Sequence, residues 1–157
     1  MAEHIYECRI VWTGNTGQGT ASYRGYNRTW EVRTPDKPPI SCSNDPLLGG
    51  DPTLHNPEDL LISALASCHM LWFLHLASGA GVVVTGYADT PEATGELSPD
   101  GAGRFVRARL RPHIALAPGS HEALADSLHG RIHDTCFIAR SVNFPVTCAA
   151  TYETSSG

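Results

Sequence analysis

The chain carries little charge, and what it has is dispersed. Charged residues make up 17% of its 157 positions against 41% hydrophobic, a balance that fits a folded globular domain rather than a disordered segment. No basic cluster is present beyond the scatter of Arg104, Arg107, Arg109 and Arg111, and 16 acidic against 11 basic residues leave a net charge of −5. Nucleic acid is therefore not an expected partner. Long apolar runs are missing too: the longest, around Met70 to Leu76, contains His75 and falls short of a bilayer span. The start, Met1-Ala2-Glu3-His4, carries an acid and opens toward a strand, unlike a signal peptide. Hence no membrane partner is expected, and the cytoplasm is the expected location. Cysteines number five, an odd count that does not suit a fully paired secreted scaffold. In the cytoplasm a disulfide is more often catalytic than structural. Internal repeats and low-complexity stretches are absent, and the length predicts a single domain over 1–157 with a real core.

Hydrophobic periodicity supplies the elements. A strand is predicted over Ile5 to Trp12 and a second over Asn27 to Arg33, where Trp30 and Val32 alternate with Glu31 and Arg33. Pro35 to Pro39 is a turn, and a short third strand follows at Ile40 to Cys42. Asn44 to His55, rich in Pro, Gly and Asp, is a loop. The first helix opens with Asn56 as cap, Pro57 at the first helical position and acids in the first turn, each suited to the unpaired amides and positive dipole end there. Leu61, Ala64, Leu65, Cys68, Leu71, Trp72 and His75 recur at helical spacing, which points Cys68 inward, and Gly79 and Gly81 close the helix. Val82 to Tyr87 is a strand; Asp100-Gly101 is a hairpin turn before a strand over Phe105 to Leu116. The second helix starts at Pro118-Gly119-Ser120 and carries Leu124, Leu128, Ile132 and Cys136 on its stripe. Asn143 to Tyr152 is a last strand, and Thr154 to Gly157 a polar tail. This order has no regular strand–helix alternation, so the fold class is α+β.

A thiol on the apolar stripe of each helix suggests two cysteines that meet in the core. Redox chemistry needs a thiolate, formed beside positive charge or hydrogen-bond donors. A second thiol then condenses with the sulfenic acid that peroxide leaves on the first. On pattern alone, the plainer reading of each as a small buried hydrophobe is favoured. A metal site is the rival: His129, His133 and Cys136 fall at i, i+4 and i+7, with His69 and Cys68 able to complete a tetrahedron. Set against that, His129 and His133 read first as solvent-facing. Cys8, Cys42 and Cys148 receive no role, with Cys42 open to adventitious oxidation in its loop.

Asn56-Pro57-Glu58-Asp59-Leu60-Leu61 through Ala66-Ser67-Cys68-His69 resembles the signature of the OsmC/Ohr family, the osmotically inducible and organic-hydroperoxide-resistance proteins. Gly81 to Val84, His133-Asp134-Thr135-Cys136 and Ser141 to Val146 extend the likeness over most of the chain from about Arg28 onward. It implies an intertwined homodimer with two central helices on antiparallel sheets, and a thiol-dependent peroxidase reducing organic hydroperoxides to alcohols. Cys68 would be the peroxidatic thiol and Cys136 the resolving one, regenerated by an external dithiol such as a lipoyl group, with no metal or organic cofactor. The family arginine, held by the acid of the Asn-Pro-Glu motif, matches Arg28, with Arg24 the fallback. Unaided, Arg28 reads as a solvated strand-edge residue. Near the sulfur its guanidinium would lower the thiolate pKa and donate to the leaving oxygen. Glu58 lies ten residues, about 15 Å of helix, from Cys68; the resemblance resolves this by having Arg28 and Glu58 serve Cys68 of the partner chain.

Two departures stand out. The hydroperoxide-resistance branch has Cys-Pro at its second thiol where this chain has Cys136-Phe137-Ile138, and His69 follows the first thiol; both place it nearer the OsmC-like branch. Met70, Trp72, Phe73 and Phe137 are candidates for an alkyl pocket, though such residues are more often plain core. A non-enzymatic redox-sensing or binding module on the same fold remains the other alternative to a peroxidase.

Overall fold

The computed structural model describes residues 1–154, so 155–157 of the expected polar tail lie outside the described residues. The chain divides into two compact units, Met1–Leu61 and the residues from Ile62 onward, and its two helices and several short strands make an α+β fold.

In the first unit, β1 (Arg9–Trp12), β2 (Trp30–Arg33) and β3 (Ile40–Cys42) form an antiparallel sheet in that order. β1 and β2 are each shorter than their sequence predicts, for a common reason. Arg9 pairs with Arg33 and Trp12 with Trp30, so each strand ends where its partner does. Beyond Arg33 the chain enters the Pro35-Asp36 turn, with Asp36 at φ 60°. Beyond Trp12 it enters a loop whose amides bond back on themselves, Asn27 N–H to the Gly14 carbonyl at 2.9 Å. The Asn44–His55 loop holds one 3-10 turn, Pro46–Leu48, capped by the Asp45 carboxylate.

The first helix, α1 (Pro57–Gly79), starts as its sequence indicates. Asn56 Oδ1 accepts from the Asp59 amide at 2.8 Å, and Asp59 Oδ2 accepts from the Asn56 amide at 3.2 Å. This reciprocal box satisfies two donors that would otherwise be orphaned. At the far end Gly81 takes φ 74°, and the amides of Val82 and Gly81 bond the carbonyls of Ala77 and Ser78 at 2.9 and 3.3 Å. That is a Schellman closure, which needs a residue free to adopt positive φ.

The inward face of α1 differs from expectation. Leu65, Ala66, His69, Phe73 and Ala77 are buried, Cys68 is half-buried, and Leu71 is 62% exposed. The helix is apolar around most of its circumference, so spacing alone does not select a face. Its 23 residues, with mean hydropathy 1.7 in their most apolar stretch, are also long and apolar enough to cross a bilayer, contrary to the reading from Met70–Leu76 alone. Here Leu65, Phe73 and Ala77 instead join the core.

In the second unit two three-stranded sheets, ordered β4-β7-β9 and β5-β6-β8, share the work. Their strands are β4 (Val84–Asp89), β5 (Glu92–Leu97), β6 (Gly103–Leu110), β7 (Pro112–Leu116), β8 (Val146–Cys148) and β9 (Thr151–Thr154). β4–β7 and β5–β6 are antiparallel, whereas β7–β9 and β6–β8 are parallel, so both sheets are mixed. The single strand expected over Phe105–Leu116 is broken at Arg111-Pro112, where the Arg111 amide turns out to Asp89 Oδ1 at 2.8 Å and Pro112 has no amide to continue a ladder. The last strand is likewise split at Ala149-Ala150, one half joining each sheet. β5, Glu-Ala-Thr-Gly-Glu-Leu, has too little apolar alternation to read as a strand, and exists as the hairpin partner of β6 across Asp100-Gly101.

The second helix, α2 (Glu122–Ile132), begins after the Pro118–Ser120 turn and ends before Cys136. Cys136 therefore lies just beyond the helix rather than on it, its amide still bonding the Ile132 carbonyl at 2.7 Å. Leu65, Phe73 and Ala77 pack with Ala125, Leu128 and Ile132 and with Ala108, Ile114 and Leu116 of β6 and β7 in one cluster that also takes in Cys136. Replacing Asn56 by Ala should remove the α1 cap and lower unfolding stability by about 1 kcal/mol, read as a reduced urea midpoint at unchanged slope.

Candidate functional site

Cys68 and Cys136 lie side by side. Burial first, then the neighbouring Cys68 thiol, push Cys136 up to about 11. Cys136 is fully buried, a thiolate in a dry site is disfavoured, and the proton stays on Cys136 at neutral pH. Its sulfur also accepts from the Ala139 amide at 3.4 Å. All five cysteines are free thiols.

Arg28 lies just outside β2, separated from it by Thr29. Its guanidinium donates to the Tyr26 carbonyl at 3.1 Å and the Tyr23 carbonyl at 2.7 Å. It also lies over both tyrosine rings, at 4.6 and 4.7 Å from their centroids. Arg24 and Arg28 line a cavity of about 420 Å³ with Asn27, Ser43 and Asp51. Glu58 is exposed in the first turn of α1. Among the described residues no ion pair joins it to Arg28, so within one chain the arginine is held by tyrosine carbonyls and rings instead of the motif acid.

A second polar cluster forms around His69, the next residue of α1. His69 Nε2 and His129 Nδ1 share a hydrogen bond of 2.8 Å, Cys148 Sγ stands 3.6 Å from the same Nδ1, and His129 Nε2 is 3.1 Å from the Tyr152 hydroxyl. Tyr152 in turn donates to Asp126 at 3.2 Å. The directions follow inward from Asp126, which as a carboxylate only accepts. Tyr152 donates to Asp126, its oxygen receives the His129 Nε2 proton, and His129 Nδ1 is left with a lone pair facing His69 and Cys148. The His129 ring stacks on Phe73 with centroids 4.4 Å apart, and the His69 ring lies edge to edge with it, nearly coplanar, at 5.1 Å. Burial lowers His69 to about 4, with His129 adding a repulsion, and burial also lowers His129. Burial pushes Cys148 up to about 12, helped by Asp89 and Asp126.

These placements bear on three readings of the sequence. His129 does not face solvent but is half-buried, while His133 does stay exposed. The set His129, His133, Cys136 does not assemble, because Cys136 has left the helix and pairs with Cys68; Cys148, given no role, takes its place beside His129. Phe73 belongs to the core, Phe137 is 64% exposed, and Trp72 stands edge-on to His75 at 5.6 Å. Cys148 was not legible from spacing, since it reaches His129 through the parallel β6–β8 pairing, a long-range contact that no local pattern announces.

A family model described as OsmC-like protein matches residues 50–150. The chain belongs to the OsmC-like family. No curated protein sequence matches it. Among solved structures, an OsmC-like protein of unknown function from Vibrio cholerae superimposes with a TM-score of 0.83 at 25% identity, covering 96% of this chain and all of that one. An organic hydroperoxide resistance protein OsmC from Legionella pneumophila gives 0.66 at 19% identity over 96% of this chain and 99% of that one. An organic hydroperoxide resistance protein from Elizabethkingia anophelis gives 0.66 at 16% identity over 98% of this chain and 100% of that one. At these identities the last two establish the fold that this OsmC-like chain shares with them.

Neutral His69 and His129 make the native state acid-sensitive. The unfolded chain takes up protons near the ordinary value of 6.5 while native His69 resists until about 4, so this stability is complete above pH 6.5 and declines as pH falls toward 4. The urea midpoint should drop between pH 7.5 and pH 5, and His69→Gln should flatten that slope.

Proposed function

We propose that this OsmC-like protein is a cysteine-based peroxidase that reduces organic hydroperoxides. The observation that carries the reading is the contact of Cys68 with a buried, protonated Cys136. The organic hydroperoxide resistance proteins of the same fold support the substrate class.

The Cys68 thiolate attacks the distal oxygen of the hydroperoxide. The O–O bond breaks, the alkoxide takes a proton and leaves as the alcohol, and Cys68 becomes a sulfenic acid. Cys136 then forms an S–S bond to Cys68, its proton leaving with the hydroxyl as water. A small-molecule or lipoyl-type dithiol reduces the disulfide by exchange and is itself oxidised. Cys136, held as a thiol, does not compete for peroxide, and it is already beside the sulfur it must join. Arg28 and Glu58 act on Cys68 of a second copy in a homodimer, Arg28 stabilising the thiolate and the leaving oxygen. The apolar residues left exposed, Leu61 and Leu71 on α1 and Phe137 after Cys136, support burial against another copy. Each copy is read as a single OsmC-like domain over 1–157. The site is cytoplasmic, where thiols are kept reduced, and requires no metal or organic cofactor.

Reduced protein should consume cumene or tert-butyl hydroperoxide with dithiothreitol or dihydrolipoamide as reductant. Cys68→Ser should abolish consumption. Cys136→Ser should permit a first turnover and then stall as sulfenic or sulfinic acid, visible by mass spectrometry. Absence of consumption above the Cys68→Ser background would replace the peroxidase with a redox-sensing or binding module. Arg28→Ala should cost about 100-fold in rate with the fold intact by circular dichroism; an unchanged rate would remove Arg28 from the site.

A further inference from the structure

The His69–His129–Cys148 cluster takes no part in the thiol chemistry above. Its three ligand atoms lie within 4.8 Å of one another. The Sγ to Nδ1 separation of 3.6 Å equals the edge, about 3.6 Å, of a tetrahedron built on ordinary Zn–S and Zn–N bond lengths. The His69–His129 edge, 2.8 Å now, would open to about 3.4 Å for the same geometry. That is a change of about 0.6 Å along the line joining two nearly coplanar rings.

Three further features fit a cation. His129 Nε2 is tied through Tyr152 to Asp126, the outer-shell arrangement that fixes a ligating imidazole and turns its other nitrogen to the metal. Asp89, which interacts electrostatically with Cys148, has a buried Oδ2 with no hydrogen-bond partner, as does the nearby Tyr87 hydroxyl. Arg111 acts on Asp89 from the other side, but the buried Oδ2 is left with acceptor capacity unused. Finally, His69, His129 and Cys148 together line a cavity of about 220 Å³, with His133 and the apolar Leu65 and Leu110 also on its wall.

We propose that His69 Nε2, His129 Nδ1 and Cys148 Sγ bind one Zn²⁺ ion, distinct from the Cys68–Cys136 pair, with the fourth position open to the adjoining cavity. Two nitrogens and a thiolate suit this borderline-soft ion better than the oxygen-seeking Mg²⁺ or Ca²⁺. On binding, the ion displaces the Cys148 proton to solvent, and the proton between the two rings moves to His69 Nδ1. Three protein ligands with one free position is the pattern of zinc sites that accept a water or small ligand.

The test is zinc binding to reduced, metal-stripped protein by titration calorimetry, with Co²⁺ as a spectroscopic probe. One Zn²⁺ per chain is expected, together with a near-ultraviolet thiolate-to-cobalt charge-transfer band and intense tetrahedral visible bands. Cys148→Ser and His129→Asn should each weaken zinc binding at least tenfold. Cys68→Ser and Cys136→Ser, which stop the proposed peroxidase, should leave stoichiometry and affinity unchanged. In the unaltered protein, zinc should shield Cys148 from alkylation by a small maleimide, mapped by mass spectrometry, so the outcome does not hang on any variant's folding. Absence of stoichiometric zinc, retention of full affinity in Cys148→Ser, or loss of zinc in Cys68→Ser would each overturn the proposal.

Discussion

Everything in the second unit depends on burying α1 beside the sheets while it carries two adjacent residues with chemistry. Consecutive helical side chains point about 100° apart, so Cys68 and His69 cannot share a partner. Cys68 meets Cys136 beyond the end of α2, and His69 meets His129 inside α2. A single turn of one helix therefore feeds two separate polar clusters within one apolar core. Each is tolerated only because its members satisfy one another, since an unpaired buried donor costs more than the bond it loses.

The two clusters hold their protons in opposite ways. Around Cys136, burial and a neighbouring thiol favour the neutral acid, so the sulfur keeps its hydrogen. Around His69 and His129, burial favours the neutral base, so the rings stay bare. Both follow from the same cost of charge in a dry interior, and Asp126 at the edge sets the direction of the hydrogen-bond relay.

Much of this was legible in the residues. The Asn56–Asp59 box and Gly81 mark α1 at both ends because caps are local chemistry, and the Asn-Pro-Glu and Cys-His elements carry the family. What escaped depended on distance along the chain. The buried face of α1 was hidden by an apolar surface on nearly every side. The break at Pro112 turned one predicted strand into two in different sheets. Cys148 could not be matched to His129 because parallel pairing joins segments nearly forty residues apart. Arg28 stood correctly near the second strand, but its tyrosine partners come from a loop whose sequence announces only a turn.

The split of the last strand bears on how the protein is made. β8 and β9, a few residues apart, complete different sheets by pairing in parallel with strands that precede α2. Neither sheet can gain its third strand until the segment from Val146 to Thr154 has left the ribosome. Until then the segments bearing His69 and His129 wait without Cys148 and Tyr152, and α1 lacks part of its apolar cover. Both sheets thus stay one strand short while α1, β4 to β7 and α2 are being made, an interval in which quality-control factors that sense exposed apolar helix can act.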